Sequence, residues 1–218
     1  MPIQENYELI LQKLPAHVQL IAVSKTQPID KILELYHLGH RDFGENKVQE
    51  MIEKYEKLPQ DIRWHMIGHV QSNKIKFMAE FVHLIHGIDK VKRLNEVQKH
   101  AQNAGRIQDV LLQIHIAQEE TKFGMNEQEA RQVMELVKEN PWPNVNIKGL
   151  MGMATFTENL EQIQKEFQYL NQIYSQLQKD FQQIQILSMG MSGDFEMAIE
   201  QGSNMIRVGS AIFGKRNY

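Results

Sequence analysis

Two hydrophobic rhythms alternate along the chain. Short apolar runs occupy 20–23, 42–43 (short and weak), 64–67, 81–85, 110–116, 147–151, 186–188 and 205–208. Runs of this length, bounded by turn residues, read as buried strands. Between them apolar residues return every three or four positions, the spacing of one helical face. The clearest case is 161–181, where Ile163, Phe167, Leu170, Tyr174, Leu177 and Phe181 form a stripe among glutamines and charges. That regular stripe predicts an outer helix rather than a glutamine-rich low-complexity tract. Helices are also predicted over 3–14, 29–39, 46–57, 71–79, 90–104, 127–139 and 193–201. Asp30, Asn126 and Ser192 are read as N-caps.

Eight strands alternating with helices predict an α/β fold with a parallel sheet. Eight such units in 218 residues are best closed as a single (β/α)8 barrel, with a doubly wound open sheet as the alternative. The segment 3–14 becomes an extra helix over the lower mouth or side, and residues 1–218 form one domain. A barrel carries its chemistry where strands end and βα loops begin.

Composition narrows the compartment. With 42% hydrophobic and 23% charged residues the chain is an ordinary globular one. It has no cysteine, which excludes a disulfide framework and a thiolate nucleophile and fits a reducing compartment. The N-terminal segment lacks the basic start and apolar core of a signal peptide, and no apolar run reaches membrane-spanning length. A cytoplasmic location is therefore expected. The formal net charge of −3 argues against a nucleic-acid surface.

The strand ends are unusually polar. They read SKTQP (24–28), FGENKVQE (43–50), WHMIGHVQSNK (64–74), ETKFGM (120–125), GLMGMATF (149–156), LSMGMSGDFEMAI (187–199) and IRVGSAIFG (206–214), all on one rim. Met191-Ser192-Gly193-Asp194 opens a helix, whose amides and dipole suit an anion. Arg207-Val208-Gly209-Ser210 adds a second glycine turn, and phosphate sites after strands seven and eight recur in this barrel. Plain turn and cap roles for these residues are the alternative.

Lys25 ends the first apolar run. A free lysine, with a pKa of about 10.4, is a poor nucleophile at neutral pH. Burial at a barrel mouth or a nearby cation lowers that value and frees the amine to form a Schiff base. A solvated lysine with a packed stem is the alternative. A lysine beside a phosphate cup fits a Schiff-base aldolase acting on a sugar phosphate, or pyridoxal phosphate held as an internal aldimine. Lys74, at a predicted helix start, and Lys122, in the loop after strand five, are rivals. The pairs His65/His69, His37/His40 and His83/His86 lack the further convergent ligands zinc requires, so no metal site is expected. The methionines around 151–153 and 189–191 read as flexible packing near a ligand.

SKTQP, FGENKVQE, WHMIGHVQSNK, GLMGMATF, LSMGMSGDFEMAI and IRVGSAIFG, in this order, resemble the pyridoxal phosphate homeostasis proteins. The resemblance runs from about residue 5 to residue 214. It implies a single (β/α)8 barrel similar to the N-terminal domain of alanine racemases, binding pyridoxal 5'-phosphate (PLP). It implies Lys25 as the aldimine lysine, Arg207 facing the pyridine nitrogen, and Ser192, Gly209 and Ser210 holding the phosphate. Asn46 and His65 would line the ring side. Gln27 stands where many members have a second lysine, and Ser210 where many have threonine. Serine keeps the hydroxyl and the amide; glutamine removes a spare amine.

An arginine at the pyridine nitrogen has a consequence. It stays charged and has no proton to give, so the ring nitrogen stays unprotonated and the cofactor is a weak electron sink. Racemisation tolerates that, but needs an acid/base on each face of the α-carbon. In alanine racemases the second comes from a tyrosine in a β-rich domain. Here the sequence reaches Tyr218 soon after the phosphate turn, and a terminal tyrosine is expected to be frayed. The expected role is a monomeric carrier in intracellular vitamin B6 homeostasis, holding PLP and passing it to acceptor apoenzymes, with no substrate reaction of its own. The alternatives are a small racemase-like enzyme, a Schiff-base aldolase and a protein-binding module.

Overall fold

The computed structural model describes residues 2–119 and 121–214. Eight parallel strands close into a barrel in sequence order: β1 Gln19–Val23, β2 Asp42–Glu45, β3 Arg63–Met66, β4 Leu84–Ile88, β5 Gln108–Ile114, β6 Val145–Gly152, β7 Ile186–Ser188 and β8 Met205–Val208. The seam is made by β1 and β8, where Ile21 stands opposite Arg207. An open doubly wound sheet is thereby excluded. No helix among the described residues is long and apolar enough to cross a membrane.

Strand alternation sorts the apolar residues into two packing regions. Ala22, Phe43, Trp64 and Ile85 point outward into a large core against the helices. Ile21, Leu84, Leu111, Met151 and Met205 point inward and fill the barrel. The outer layer comprises α1 Ile3–Lys13, α2 Ile29–His37, α3 Val48–Tyr55, α4 Val91–Asn103, α5 Glu127–Lys138, α6 Leu160–Asp180, α7 Phe195–Glu200 and α8 Ser210–Phe213. The stripe of α6 buries Ile163, Phe167, Leu170 and Leu177. The extra helix α1 lies on the side of the barrel, against α2 and α8, with Asn6 Nδ2 donating to Ile212 O at 3.0 Å.

Several local expectations are corrected. The fourth strand begins at Leu84, because 81–83 is a turn held by Phe81 and Val82 amides on Met78 O. The weak second run extends through Gly44 and Glu45. The segment 71–79 folds as a 3-10 helix, Ser72–Phe77. Asn126 caps α5 with a full capping box to Glu129. The N-caps of α2 and α7 are Pro28 and Asp194 rather than Asp30 and Ser192, and neither side chain bonds an amide of the helix it caps.

Candidate functional site

At the C-terminal mouth of the barrel lies a cleft of about 390 Å³, a size typical of small-molecule sites. Six of the seven sequence-predicted residues line it: Lys25, Asn46, Ser192, Arg207, Gly209 and Ser210. Gln113, Phe123, Met153 and Phe156 are also in the wall. Phe156 is 95% exposed, so this rim is open.

Lys25 follows β1 and is half-buried. The residues on either side of it are fixed. Ser24 is fully buried, and its hydroxyl donates to Glu45 Oε1 at 2.6 Å. Lys54, reaching in from α3, donates to Ser24 O at 2.7 Å, to Glu45 Oε1 at 2.8 Å and to Glu50 Oε1 at 2.7 Å. Thr26 sits at φ +64°, a costly conformation for a branched residue, and its N–H donates to Glu50 Oε1 at 2.5 Å. A left-handed residue just after Lys25, tied to α3, turns the chain sharply at the lysine. Burial pushes the Glu45 carboxyl up to about 7, against the pull of Lys54 and Ser24.

Across the cleft, the β7 and β8 loops meet through Ser192. Its Oγ accepts from Gly209 N at 3.1 Å and Ala211 N at 3.3 Å. Gly190 makes the turn that brings Ser192 there: it sits at φ +98°, and a Cβ would stand 2.6 Å from the Ala198 side chain. Asp194 turns back on its own loop, accepting Met191 N–H at 2.5 Å. The amides of Gly193 and Ser210 donate to no group among the described residues. A hydroxyl and amides of two converging turns suit a phosphate.

Arg207 is anchored from below. Nη1 donates to Ser188 Oγ at 2.6 Å and Nη2 to Gly152 O at 3.0 Å. Burial lowers its pKa to about 10, so it remains a cation at neutral pH. On the opposite wall, Gly68 lets the β3 loop lie on the β2 loop; a Cβ there would stand 2.3 Å from Asn46 O.

Lys25, Arg207 and the Ser192–Gly209–Ser210 turn thus face one cleft, a lysine amine, a buried guanidinium and a turn suited to an anion. The model of the family "Alanine racemase, N-terminal domain" matches residues 2–217. A pyridoxal phosphate homeostasis protein of Aquifex aeolicus is 40% identical over 202 residues, 92% of this chain and 88% of its own. PipY of Synechococcus elongatus PCC7942 is 34% identical and superposes with a TM-score of 0.92 over 97% of this chain and all of PipY. The chain belongs to the pyridoxal phosphate homeostasis protein family. PipY has also been solved with PLP bound, with a TM-score of 0.88 to this chain. An alanine racemase of Clostridium difficile 630 shares the fold at 15% identity and a TM-score of 0.79, over 99% of this chain and 56% of the racemase.

Within this member of the homeostasis family, His65 departs from its expected place. It does not line the cleft: on β3 it points into the barrel two positions below Ile67, which does line it. It is fully buried, with Nε2 3.1 Å from Asp42 Oδ1 and Nδ1 3.1 Å from His86 Nε2. His69, from the loop after β3, takes the rim position instead, stacked on Phe123 at 3.7 Å with Arg93 Nη2 donating to its Nε2 at 2.7 Å. Of the rival lysines, Lys74 is exposed in the 3-10 helix, and Lys122 is spent on Ala154 O at 2.6 Å and Glu119 Oε1 at 3.0 Å. Among the described residues no three His, Asp or Glu are grouped to hold a metal ion. Tyr218 and Glu120 lie outside the described residues. Gln113 escaped the sequence reading because it is an ordinary strand residue, whereas Phe123 lies in the ETKFGM segment read as rim without being singled out.

Proposed function

We propose that this chain, as one barrel domain over residues 1–218, binds PLP reversibly and takes part in intracellular PLP homeostasis without a substrate reaction of its own. The observation that carries this reading is the convergence of Lys25, Arg207 and the Ser192/Gly209/Ser210 turn on one open cleft. The cofactor brings an aldehyde, which a lysine amine captures reversibly with loss of water. Lys25 supplies the amine at a position fixed through Ser24 and Thr26. Arg207 donates hydrogen bonds to the ring-nitrogen position and offers it no proton. Ser192 and the amides of Gly193 and Ser210 receive the phosphate, and Asn46 lines the ring side.

A racemase-like role needs a second acid/base facing the α-carbon. Among the described residues the cleft wall contains no tyrosine, and its one histidine, His69, is tied to Arg93. An aldolase needs an acid/base group to serve Lys25, and the buried acid of the neighbouring strand, Glu45, is engaged by Lys54 and Ser24. The open rim suits loading of the cofactor and its release to acceptor apoenzymes. We place the protein in the cytoplasm, as a monomer.

The test is to load the purified protein with PLP, record its visible spectrum, reduce with borohydride and map the trapped peptide. A yellow protein trapped on Lys25, with trapping abolished in Lys25→Ala, is the expected result. A wild-type protein that takes up no PLP overturns the reading, and substrate-dependent racemisation by the loaded protein favours the enzyme alternative.

A further inference from the structure

The barrel interior carries a line of polar residues that the binding site does not use directly. Asp42, His65, His86 and Ser188 come from β2, β3, β4 and β7, and all four are buried. They touch in series. Arg207 Nη1 lies 2.6 Å from Ser188 Oγ; Ser188 Oγ lies 3.3 Å from His86 Nδ1; His86 Nε2 lies 3.1 Å from His65 Nδ1; His65 Nε2 lies 3.1 Å from Asp42 Oδ1. At the closed end, Arg63 forks the carboxylate with bonds of 2.7 and 2.6 Å.

The chemistry of the two ends fixes the direction of every bond. A guanidinium only donates, so Ser188 Oγ accepts from Arg207; an ionised carboxylate only accepts, so a neutral His65 has its proton on Nε2, His86 must donate to it from Nε2, and His86 Nδ1 is left to accept the Ser188 proton. His86 then carries its proton on Nε2 and gives it to His65 Nδ1. His65 in turn carries its proton on Nε2 and gives it to Asp42, a pure acceptor when ionised. Reversing any one link sets two donors or two acceptors against each other. Burial holds both histidines below their ordinary pKa, His86 well below, so both are neutral in this arrangement. Burial would raise Asp42, but the hydrogen bonds from Arg63 and His65 outweigh it and hold the carboxyl well below the usual range. His83, edge-on to His65 at 5.3 Å, and His40, whose Nε2 lies 2.8 Å from Asp42 O, are also held below their ordinary pKa by burial, so no cationic histidine faces the line.

We propose that Asp42, His65, His86 and Ser188 are positioning residues for Arg207: a one-way hydrogen-bonded relay through the barrel that holds the guanidinium in the one orientation that serves the PLP ring nitrogen. This rests on the PLP-binding reading above. Cooperative networks of this kind strengthen each member and penalise a broken link. Arg207 donates to Ser188 and Gly152, the Asp194 carboxylate is the charge whose field it feels, and Asp42 closes the hydrogen-bonded line at its far end.

The relay is tested first without cofactor. In 15N-histidine-labelled apoprotein, long-range 1H–15N correlation is expected to find His65 and His86 both neutral and both as the Nε2–H tautomer at neutral pH. An Nδ1–H tautomer or a cation at either position overturns the relay. Ser188→Ala is then expected to lose about tenfold in PLP affinity, on the order of one broken hydrogen bond, and to shift the visible band while trapping stays on Lys25. Ser188→Thr keeps the hydroxyl and is expected to restore both. Wild-type affinity and band position in Ser188→Ala would overturn the positioning role. Failure of the wild type to load PLP would overturn the function and with it the target of the relay, while the tautomers still report on the relay itself.

Discussion

Asp42 and Glu45 stand three residues apart on the same strand, both buried, and the fold treats their carboxyl groups in opposite ways. Asp42 faces the barrel interior and is saturated: two bonds from Arg63, one from His65. Its carboxyl is held well below the usual range although burial works against this. Glu45 faces α3 and receives Ser24 and Lys54 on one oxygen, while its Oε2 is buried without a hydrogen-bond partner. There burial wins, and the carboxyl is pushed up to about 7. Burial is common to both; the number and placement of donors decides which carboxylate stays charged without cost. The saturated acid closes the hydrogen-bonded line that reaches Arg207. The under-satisfied one holds the Lys25 loop and responds to pH.

The comparison breaks hardest at Lys54. Lys54→Met removes the cation paired with Glu45 and Glu50 and strands buried acceptors, so unfolding stability is expected to fall by about 3 to 5 kcal/mol, measured by urea denaturation. The loss should shrink at low pH, where Glu45 is protonated. Asp42→Ala should cost about 1 to 3 kcal/mol in the same assay, because it leaves the buried His65 N–H and the Arg63 fork without acceptors. Its effect on PLP affinity should exceed that of any equally destabilising variant outside the barrel interior.

The two acids also predict opposite pH windows. Glu45 has a folded pKa of about 7, above the ordinary 4.5, so its contribution is fully present below about 4.5 and is lost as pH rises towards about 7. Asp42 has a depressed folded pKa, so its contribution is present above the ordinary 3.8 and is lost only as pH falls below it. Stability profiles of Glu45→Gln and wild type should therefore diverge between about pH 4.5 and about 7 and run parallel above that window; parallel profiles throughout would show that Glu45 keeps an ordinary pKa. The smallest effect is expected at Arg63, whose side chain is 47% exposed: Arg63→Ala should cost about 1 kcal/mol or less and leave Asp42 buried with His65 alone.

The strands were legible because each is a compact apolar run, and Lys25, Ser192, Arg207, Gly209 and Ser210 were legible because they sit at strand ends, where a barrel opens; Asn46 was placed there by the family resemblance alone. His65 was misplaced by one layer. It belongs to the same motif as the rim residues, but with period-two alternation Ile67 and not His65 reaches the cleft. The relay did leave a trace: Asp42, His65, His86, Ser188 and Arg207 are polar interruptions in otherwise apolar strands. What could not be read was that five strands bring these interruptions into one line, because register between strands distant in sequence is set by closure of the barrel. Ser192 was misread as a helix cap for a related reason. Its hydroxyl satisfies amides of the β8 loop, a tertiary partner that local pattern does not reveal.

The clasp between α1 and α8 has a consequence for when the protein becomes competent. Asn6 bonds Ile212 across 206 residues, beside the β1–β8 seam. Lys25 leaves the ribosome early, but Arg207, Gly209 and Ser210 emerge long afterwards. A nascent chain thus carries the amine without the groups that recognise the rest of the ligand. Contacts of such long range make barrel closure a late and slow step in folding, so the cleft is assembled only after synthesis has passed β8. Until then, Lys25 is one more lysine among many.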